Sequence, residues 1–506
     1  MCLTLGALLV SLSGCANEEG ATDYQGEPPV VPTQEATFST AEIEQALQVI
    51  LDAGAPAVLA EVRNGGEVWR HSLGVTTLNG EQPVDELAKV RIASVTKTTM
   101  GIVLEQLVAE KKLDLDAPVT DYLPDLRLGR EVIQDGENER LALPSQTGYA
   151  TPMPVPPPGG LTAQVPEGAK VGDDVAFGPG KTPMINPAEK VTVRMLAQHM
   201  SGIPDYIETF PFSDIQQMKT AFGREYNKAD IAARVADREW KGMPGETFFY
   251  SNTNYILLSM LIETITEKDI EEVLAERVFT PAGLEQTSLP YTDEMPEGGA
   301  HGYFQVSGVS VDVTTQPASL FSGAGGVVST TQDVNSLYRG LMQGTYLPPE
   351  RLQEMLHLNS EGYGIGIQGH EDPCTTQPKV IVPRDEPEAL RPGESRPAPT
   401  DGAVQTEPAS TTAAPSASAS PTNTDRQANR DEKSPAPLLQ IGKPGMAYGH
   451  LGSGLGYRIV AFSSPDGQRQ VTIAWTVSPP DYGKDPRLQP AYDALDVAFA
   501  AICPAQ

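Results

Sequence analysis

Ile92-Ala93-Ser94-Val95-Thr96-Lys97 is the stretch from which the rest of the chain can be read. It sets a hydroxyl and an amine three residues apart, so on a helical turn both side chains share one face. A neutral amine at that spacing takes the hydroxyl's proton, and serine becomes a nucleophile without a histidine base. Ser94 is the only serine of the 506 residues with a lysine three positions on. A single S-x-x-K is weak evidence, but this one has two partners downstream, Tyr250-Ser251-Asn252 and His450-Leu451-Gly452. A phenol, an amide and an imidazole drawn to the same place complete an acyl-transfer site.

Outward from that stretch, the chain alternates helical and strand patterns. Ser39 and Glu42 predict a capping box, followed by an apolar stripe of Ile43, Leu47, Ile50 and Leu51 that ends at Gly54. Ala57 to Val62 and Val68 to Leu73 read as a hairpin turning at Asn64-Gly65. The Ser94 helix buries Met100, Val103, Leu104 and Leu107. Met195 to Met200 and Ile256 to Ile265 read as helices, and Ser322 to Leu341 as a glycine-rich turn leading into another. Tyr457 to Phe462 and Val471 to Val477 are strands around Pro465-Asp466-Gly467, and a last helix runs from Leu488 to Ile502.

Two stretches break the pattern. Residues 129–188 are irregular, rich in glycine and proline, and yield no element. Pro383 to Pro437 is dense in Pro, Ala, Ser and Thr and has no aromatic residue, so it lacks the apolar surface to offset its ordering entropy. It reads as a disordered insertion within one domain, which loop-closure cost tolerates. Length alone predicts about three domains; the two insertions reduce that to one catalytic domain over residues 39–503.

A net charge of −30 excludes nucleic acid as the partner, because phosphates would be repelled. Leu3 to Leu12 is apolar but too short to span a bilayer, and Leu12-Ser13-Gly14-Cys15 resembles a bacterial lipoprotein cleavage box. Residues 1–15 are then a signal segment with Cys15 as the lipidated residue, and 16–38 a flexible tether. No Lys or Arg precedes Arg63, so the positive region of such a signal is missing and the natural start is expected elsewhere. With Cys2 removed and Cys15 acylated, Cys374 and Cys503 remain as a disulfide pair in an exported protein, two free thiols being the alternative.

The ordered motifs resemble the serine β-lactamase and penicillin-binding-protein superfamily, in the branch of class C β-lactamases and the Streptomyces-type D-alanyl-D-alanine carboxypeptidase. Beside the three elements already quoted, Leu113-Asp114-Leu115-Asp116-Ala117-Pro118-Val119, His199-Met200-Ser201-Gly202-Ile203-Pro204-Asp205-Tyr206 and Pro244-Gly245-Glu246-Thr247-Phe248-Phe249-Tyr250 carry the resemblance. It implies an α+β fold of the β-lactamase/transpeptidase type: an antiparallel sheet flanked by terminal helices, with an all-helical subdomain inserted and the site at their junction. It also implies Ser94 as nucleophile, Lys97 as general base and Tyr250 as proton donor to the leaving group, with the base role open between Lys97 and Tyr250. Asn252 would hold Lys97 and the substrate, His450 would attract a substrate carboxylate when protonated although an imidazole is often uncharged at neutral pH, and Gly452 would admit close approach. The N–H groups of Ser94 and Ser453 are the expected oxyanion hole. Leu451 departs from the family's usual hydroxyl, for which Ser453 could substitute. His199 and Asp205 read as structural.

Gly364-Ile365-Gly366-Ile367-Gln368-Gly369 fits G-x-G-x-x-G, but no helix pattern follows it, so a dinucleotide site is discarded. No H-E-x-x-H, C-x-x-C or G-x-S-x-G occurs, and no cofactor or metal is expected. The expectation is a lipid-anchored serine hydrolase on the outer face of the cell membrane, a monomer acting on a peptidoglycan peptide or another small acyl substrate. D-alanyl-D-alanine carboxypeptidase leads, with esterase and class C β-lactamase behind. A non-catalytic penicillin-sensing or wall-binding lipoprotein is the alternative of another class.

Overall fold

The computed structural model describes residues 26–126, 128, 132–135, 138–141, 187–236, 238–374, 379–381 and 439–504. Val380–Leu439 separates as a unit of its own, and the insertion expected at 383–437 lies outside the described residues, as do the signal segment with Cys15 and residues 16–25.

The frame is one seven-stranded sheet. Its strands are β1 (Gln34–Glu35), β2 (Ala57–Asn64), β3 (Glu67–Gly74), β4 (Gln368–Glu371), β5 (Met446–Gly454), β6 (Tyr457–Ser463) and β7 (Arg469–Trp475). They lie in the order β1-β3-β2-β7-β6-β5-β4, antiparallel except for β1 against β3. Alternation along β2 separates the faces. Val58, Ala60 and Val62 join Val460, Phe462, Val471 and Ile473 beneath two terminal helices, α1 (Ala41–Asp52) and α6 (Leu488–Ala501). Leucine, isoleucine and valine side chains buried this way stabilise by roughly 1.5–3 kcal/mol each. On the other face Glu61 and Arg63 meet α5 (Thr331–Gln343), where Asn335 Nδ2 donates to Glu61 O at 3.0 Å and Arg63 Nη1 to Ser336 Oγ at 3.1 Å.

The other helices gather on α2 (Thr96–Ala109). Its residues from Thr96 to Glu105 are all buried, so it is enclosed on every side rather than amphipathic. Gly101 is needed there, since a Cβ would stand 2.3 Å from Ile365 O. Against α2 pack α3 (Asn252–Thr266) and α4 (Ala318–Gly325), the latter kinked at Ser322. The α+β architecture expected from the motifs is therefore the one observed.

Several local expectations need correction. The tether expected at 16–38 is docked from Gly26 onward: Gly26 N–H donates to Thr345 O at 3.0 Å, Arg339 Nη1 donates to Val30 O at 3.0 Å, and β1 pairs with β3. These are mostly backbone bonds, so a polar, proline-bearing sequence makes them as well as any other. The 129–188 stretch is not without elements: Val132–Asp135 pairs with Asn138–Leu141, and Ala188 is buried where the chain re-enters the core. The Ser39–Glu42 capping box does not form; Thr40 is the N-cap, and its hydroxyl donates to Glu44. In the hairpin, Asn64 still pairs with Glu67, so Gly65-Gly66 is the turn.

Cys374 and Cys503 form a disulfide across 129 residues, with Cα atoms 5.4 Å apart. It ties the segment after β4 to the end of α6. Closing so long a loop stabilises by about 2–4 kcal/mol. Chemical denaturation followed by circular dichroism should show that loss for Cys374→Ser with Cys503→Ser, or under reductant. An unmoved midpoint would mean the bridge adds nothing.

Candidate active site

The chain enters the site through Val90–Arg91, which pairs with Val328–Ser329, and then a 3-10 turn at Ala93–Val95 opens α2. Ala93 sits at φ +45, an unfavourable conformation for a residue with a Cβ, held where β5 presses on the turn. A Cβ on Gly452 would lie 2.4 Å from Ile92 O, so only glycine admits that approach. Ser94 is buried at the start of α2.

Lys97, one helical turn on, has no exposed surface. Its Nζ donates to Ser94 Oγ at 3.1 Å, to Asn252 Oδ1 at 2.8 Å and to Ala324 O at 2.6 Å. The last belongs to the end of α4, where carbonyls lack intrahelical partners. Burial lowers the Lys97 pKa to about 7, and the nearby Asp205 carboxylate works against that shift. Near neutral pH the amine is thus divided between two forms. In the neutral form its lone pair can accept the Ser94 proton along the same 3.1 Å line.

Tyr250 and Asn252 come from the segment that starts α3. The Tyr250 hydroxyl is buried and completes no hydrogen bond among the described residues, though the Ser94 hydroxyl beside it draws its pKa down. Burial dominates and holds the phenol well above its ordinary range, so it stays protonated. Lys97 Nζ lies 5.0 Å from the centre of that ring. Asn252 Nδ2 donates to Asp205 Oδ2 at 2.8 Å while its carbonyl faces Lys97. Asp205, read from sequence as structural, is therefore one amide removed from the lysine.

His199 also sits against the site, its ring 4.1 Å from that of Tyr250. Its Nδ1 accepts from Ser251 N–H at 3.2 Å and from Asn254 Nδ2, and its Nε2 has no hydrogen bond among the described residues. Burial, reinforced by Lys97 and His450, keeps it neutral. It backs the Tyr250 ring, in keeping with the structural reading.

His450 takes the uncharged of the two forms open to it. It is 1% exposed and does not offer a cation to the cleft. Its Nδ1 donates to Leu451 O, and its Nε2 accepts from the Tyr363 hydroxyl at 2.8 Å. Burial, with Lys97 adding repulsion, lowers its pKa to about 3. The imidazole is neutral at physiological pH, so it offers no cation to a substrate carboxylate, and both it and Tyr363 stand against the Tyr250 ring. No sequence motif marks Tyr363, which reaches the cluster only through the fold.

Three residues beyond His450, Ser453 pairs with Arg458 one step from the two-residue turn between β5 and β6. That step is a non-hydrogen-bonded pair, so its N–H points off the ladder. Leu451 N–H, of the same parity, reaches Gln368 Oε1 on that outer edge at 3.1 Å. Ser453 thus presents its N–H on the free edge of β5, beside the Ser94 turn. Its Oγ accepts from Arg458 Nη1, and Arg458 is also paired with Asp485. Around it opens a cleft of about 530 Å³, open solvent included, with Tyr206, Ile207, Phe212, Phe321, Tyr457 and Tyr482 among its walls. Of the residues singled out from sequence, Asn252 and Ser453 line this cleft, Lys97 joins Ser94 to Asn252 with the Tyr250 ring beside it, Gly452 presses on Ile92, His450 stands against Tyr250, and Cys374 and Cys503 are elsewhere.

The Beta-lactamase family profile matches residues 43–366. Penicillin-binding protein 4* of Bacillus subtilis (strain 168) is 29% identical over 175 residues, covering 32% of this chain and 38% of that protein. The chain thus matches well under half the length of such curated relatives. Among solved structures, a D-stereospecific amidohydrolase from Streptomyces sp. superposes with a TM-score of 0.58 at 22% identity, over 92% of this chain and 100% of that one. The D-amino acid amidase of Ochrobactrum anthropi SV3 does so with a TM-score of 0.57 at 20% identity, over 91% and 99%. The chain belongs to the Beta-lactamase family, whose members are serine hydrolases.

The buried imidazole gives a direct check. With its pKa at about 3, His450 should show no charge change between pH 5 and 8, so its ring nitrogen shifts in NMR should stay constant. A titration step in that range would return it to the list of cationic substrate anchors.

Proposed function

We propose that the protein cleaves small amides or esters through an acyl-enzyme on Ser94, with an apolar or aromatic acyl group as the preferred donor. One observation carries this: a fully buried Lys97 amine, poised at about pKa 7, lies 3.1 Å from the Ser94 hydroxyl. Lys97 takes the Ser94 proton as Oγ attacks the carbonyl carbon. The phenol is the weaker candidate for that step, because burial holds Tyr250 well above pH 10. The oxyanion sits between the N–H groups of Ser94 and Ser453. Lys97 returns the proton through Tyr250 to the departing nitrogen or oxygen, the C–N or C–O bond breaks, and water then releases the acyl group from Ser94.

The cleft bears on the substrate class. Its aromatic walls favour an apolar acyl side chain. With His450 neutral and Leu451 in place of a hydroxyl, the D-alanyl-D-alanine carboxypeptidase reading loses two of its supports. The amidase activities named for the structural neighbours agree with this ordering. The carboxypeptidase remains the second reading, favoured by the Arg458 guanidinium behind Ser453. We also place the protein outside the cytoplasm, anchored through a lipid on Cys15; the Cys374–Cys503 disulfide supports an oxidising compartment.

A fluorophosphonate probe should label the wild type and fail on Ser94→Ala. Lys97→Met should slow labelling by about 10²–10⁴-fold. Because the base must be unprotonated, the wild-type rate should rise with pH through a midpoint of about 7. D-Phenylalanine amide, a p-nitrophenyl ester, a D-Ala-D-Ala peptide and nitrocefin then rank the substrates. Equal labelling of Ser94→Ala would sink the assignment, and stable acylation without turnover would favour the penicillin-sensing alternative.

A further inference from the structure

We propose that Asp205 is a positioning residue for the Ser94–Lys97 pair, setting both the orientation of the Asn252 amide and the charge balance around the lysine. This rests on the reading of Ser94 and Lys97 given above. Donor and acceptor inventories constrain the three groups. An ammonium only donates and a carboxylate only accepts. An amide lodged between them has one orientation that satisfies both: oxygen to Lys97, nitrogen to Asp205. That is the arrangement present, with Lys97 Nζ to Asn252 Oδ1 at 2.8 Å and Asn252 Nδ2 to Asp205 Oδ2 at 2.8 Å. The flipped amide would set donor against donor and acceptor against acceptor. Without the carboxylate, nothing in this pair of contacts selects the productive orientation.

The fold holds Asp205 to this task from both sides. Pro204 O accepts from Ser251 Oγ at 3.1 Å and from Thr253 Oγ1 at 2.7 Å. Tyr206 N–H donates to Thr253 Oγ1 at 3.0 Å, and the Tyr206 hydroxyl donates to Leu320 O at 2.6 Å. Loop and helix start are thereby locked together, so Asp205 and Asn252 keep their register. The two carboxylate oxygens divide the work. Oδ1 accepts Ile207 N–H at 3.0 Å and caps the turn at Tyr206–Thr209, while only Oδ2 reaches the amide. The carboxylate also takes the Asn252 backbone N–H, but a capping role alone would leave the Asn252 side-chain amide out.

The charge effect follows from which groups face Lys97. From the α3 side come Asn252 and the Tyr250 and Tyr255 phenols, which burial keeps protonated. From behind come His199 and His450, which burial keeps neutral. Asp205 is the carboxylate whose field acts on Lys97; burial raises its own pKa, and the Ile207 and Asn252 N–H groups, the Asn252 amide and Lys97 work against that shift to favour the charged form. Its charge favours the ammonium and so opposes desolvation, which holds the lysine near neutrality instead of far below it.

The test compares Asp205→Asn with Asp205→Ala, following p-nitrophenyl butyrate hydrolysis from pH 5 to 9, beside wild type and Ser94→Ala. Asparagine removes the charge but keeps an acceptor, so the midpoint of the rising limb should move down by about 1 unit with a modest change in the plateau. Alanine should shift the limb likewise and also lower the plateau by about 10–100-fold, through the released amide. Asn252→Asp in the Asp205→Asn background exchanges the two groups and shows whether the contact, rather than folding, limits the rate. Thermal melts of each variant separate the capping role. If the melts fall while the rising limb stays at the wild-type pH in both Asp205 variants, Asp205 is a cap and the proposal is overturned. If Ser94→Ala hydrolyses the ester as fast as wild type, the failure belongs to the nucleophile assignment instead.

Discussion

Burying one lysine amine is the constraint around which this molecule is organised. An ammonium removed from water is costly unless it meets acceptors or sheds its proton. Lys97 does both in part. Its three acceptors come from the α2 turn, the start of α3 and the end of α4. No one of these segments makes the site, and the amine is stable in its cavity only when all three have packed. The reactivity of Ser94 is therefore a product of tertiary packing rather than of its own helix. The −30 formal charge elsewhere in the chain sets the contrast: the reactive cation sits in an enclosed aromatic and amide environment, away from the acidic surface.

The sheet contributes direction rather than chemistry. Pairing of β5 with β6 determines which N–H groups of β5 point outward, and a slip of one residue would turn Ser453 inward and expose Gly452 instead. The register is held by the apolar face under α1 and α6 and, on the other face, by a charged cluster. There Glu61 takes both Arg63 and Arg70, at 2.6 and 2.5 Å, and α5 seals them. Paired and hydrogen-bonded, these groups avoid the desolvation penalty each would incur alone.

What could be read in advance follows from what kind of information a residue carries. Ser94 with Lys97, and Tyr250 with Asn252, are close in sequence, and their spacing already fixes their mutual geometry. The strands and the long helices announce themselves through periodicity, and the cysteine pair through elimination. The charge of His450 is not legible in the sequence because its residue type does not reveal its burial: an imidazole is readily protonated at a surface, and this one is neutral against Tyr363. Asp205 lies 47 positions from Asn252, so its contact belongs to the fold and not to a local pattern. The docking of Gly26 to Glu35 was hidden for a different reason, because parallel strand pairing and carbonyl contacts use the backbone and leave little trace in side-chain composition.

The Cys374–Cys503 bond has a topological result. One sulfur precedes the proline-rich segment at 383–437 and the other follows it, along with β5, β6, β7 and α6. A protease that severs any peptide link in that segment yields two polypeptides, one bearing Ser94, Lys97 and Tyr250 and the other bearing Ser453. They do not part, because sulfur still joins them. Nicked protein stays one covalent molecule, heavier only by the water of hydrolysis, until a reductant is added.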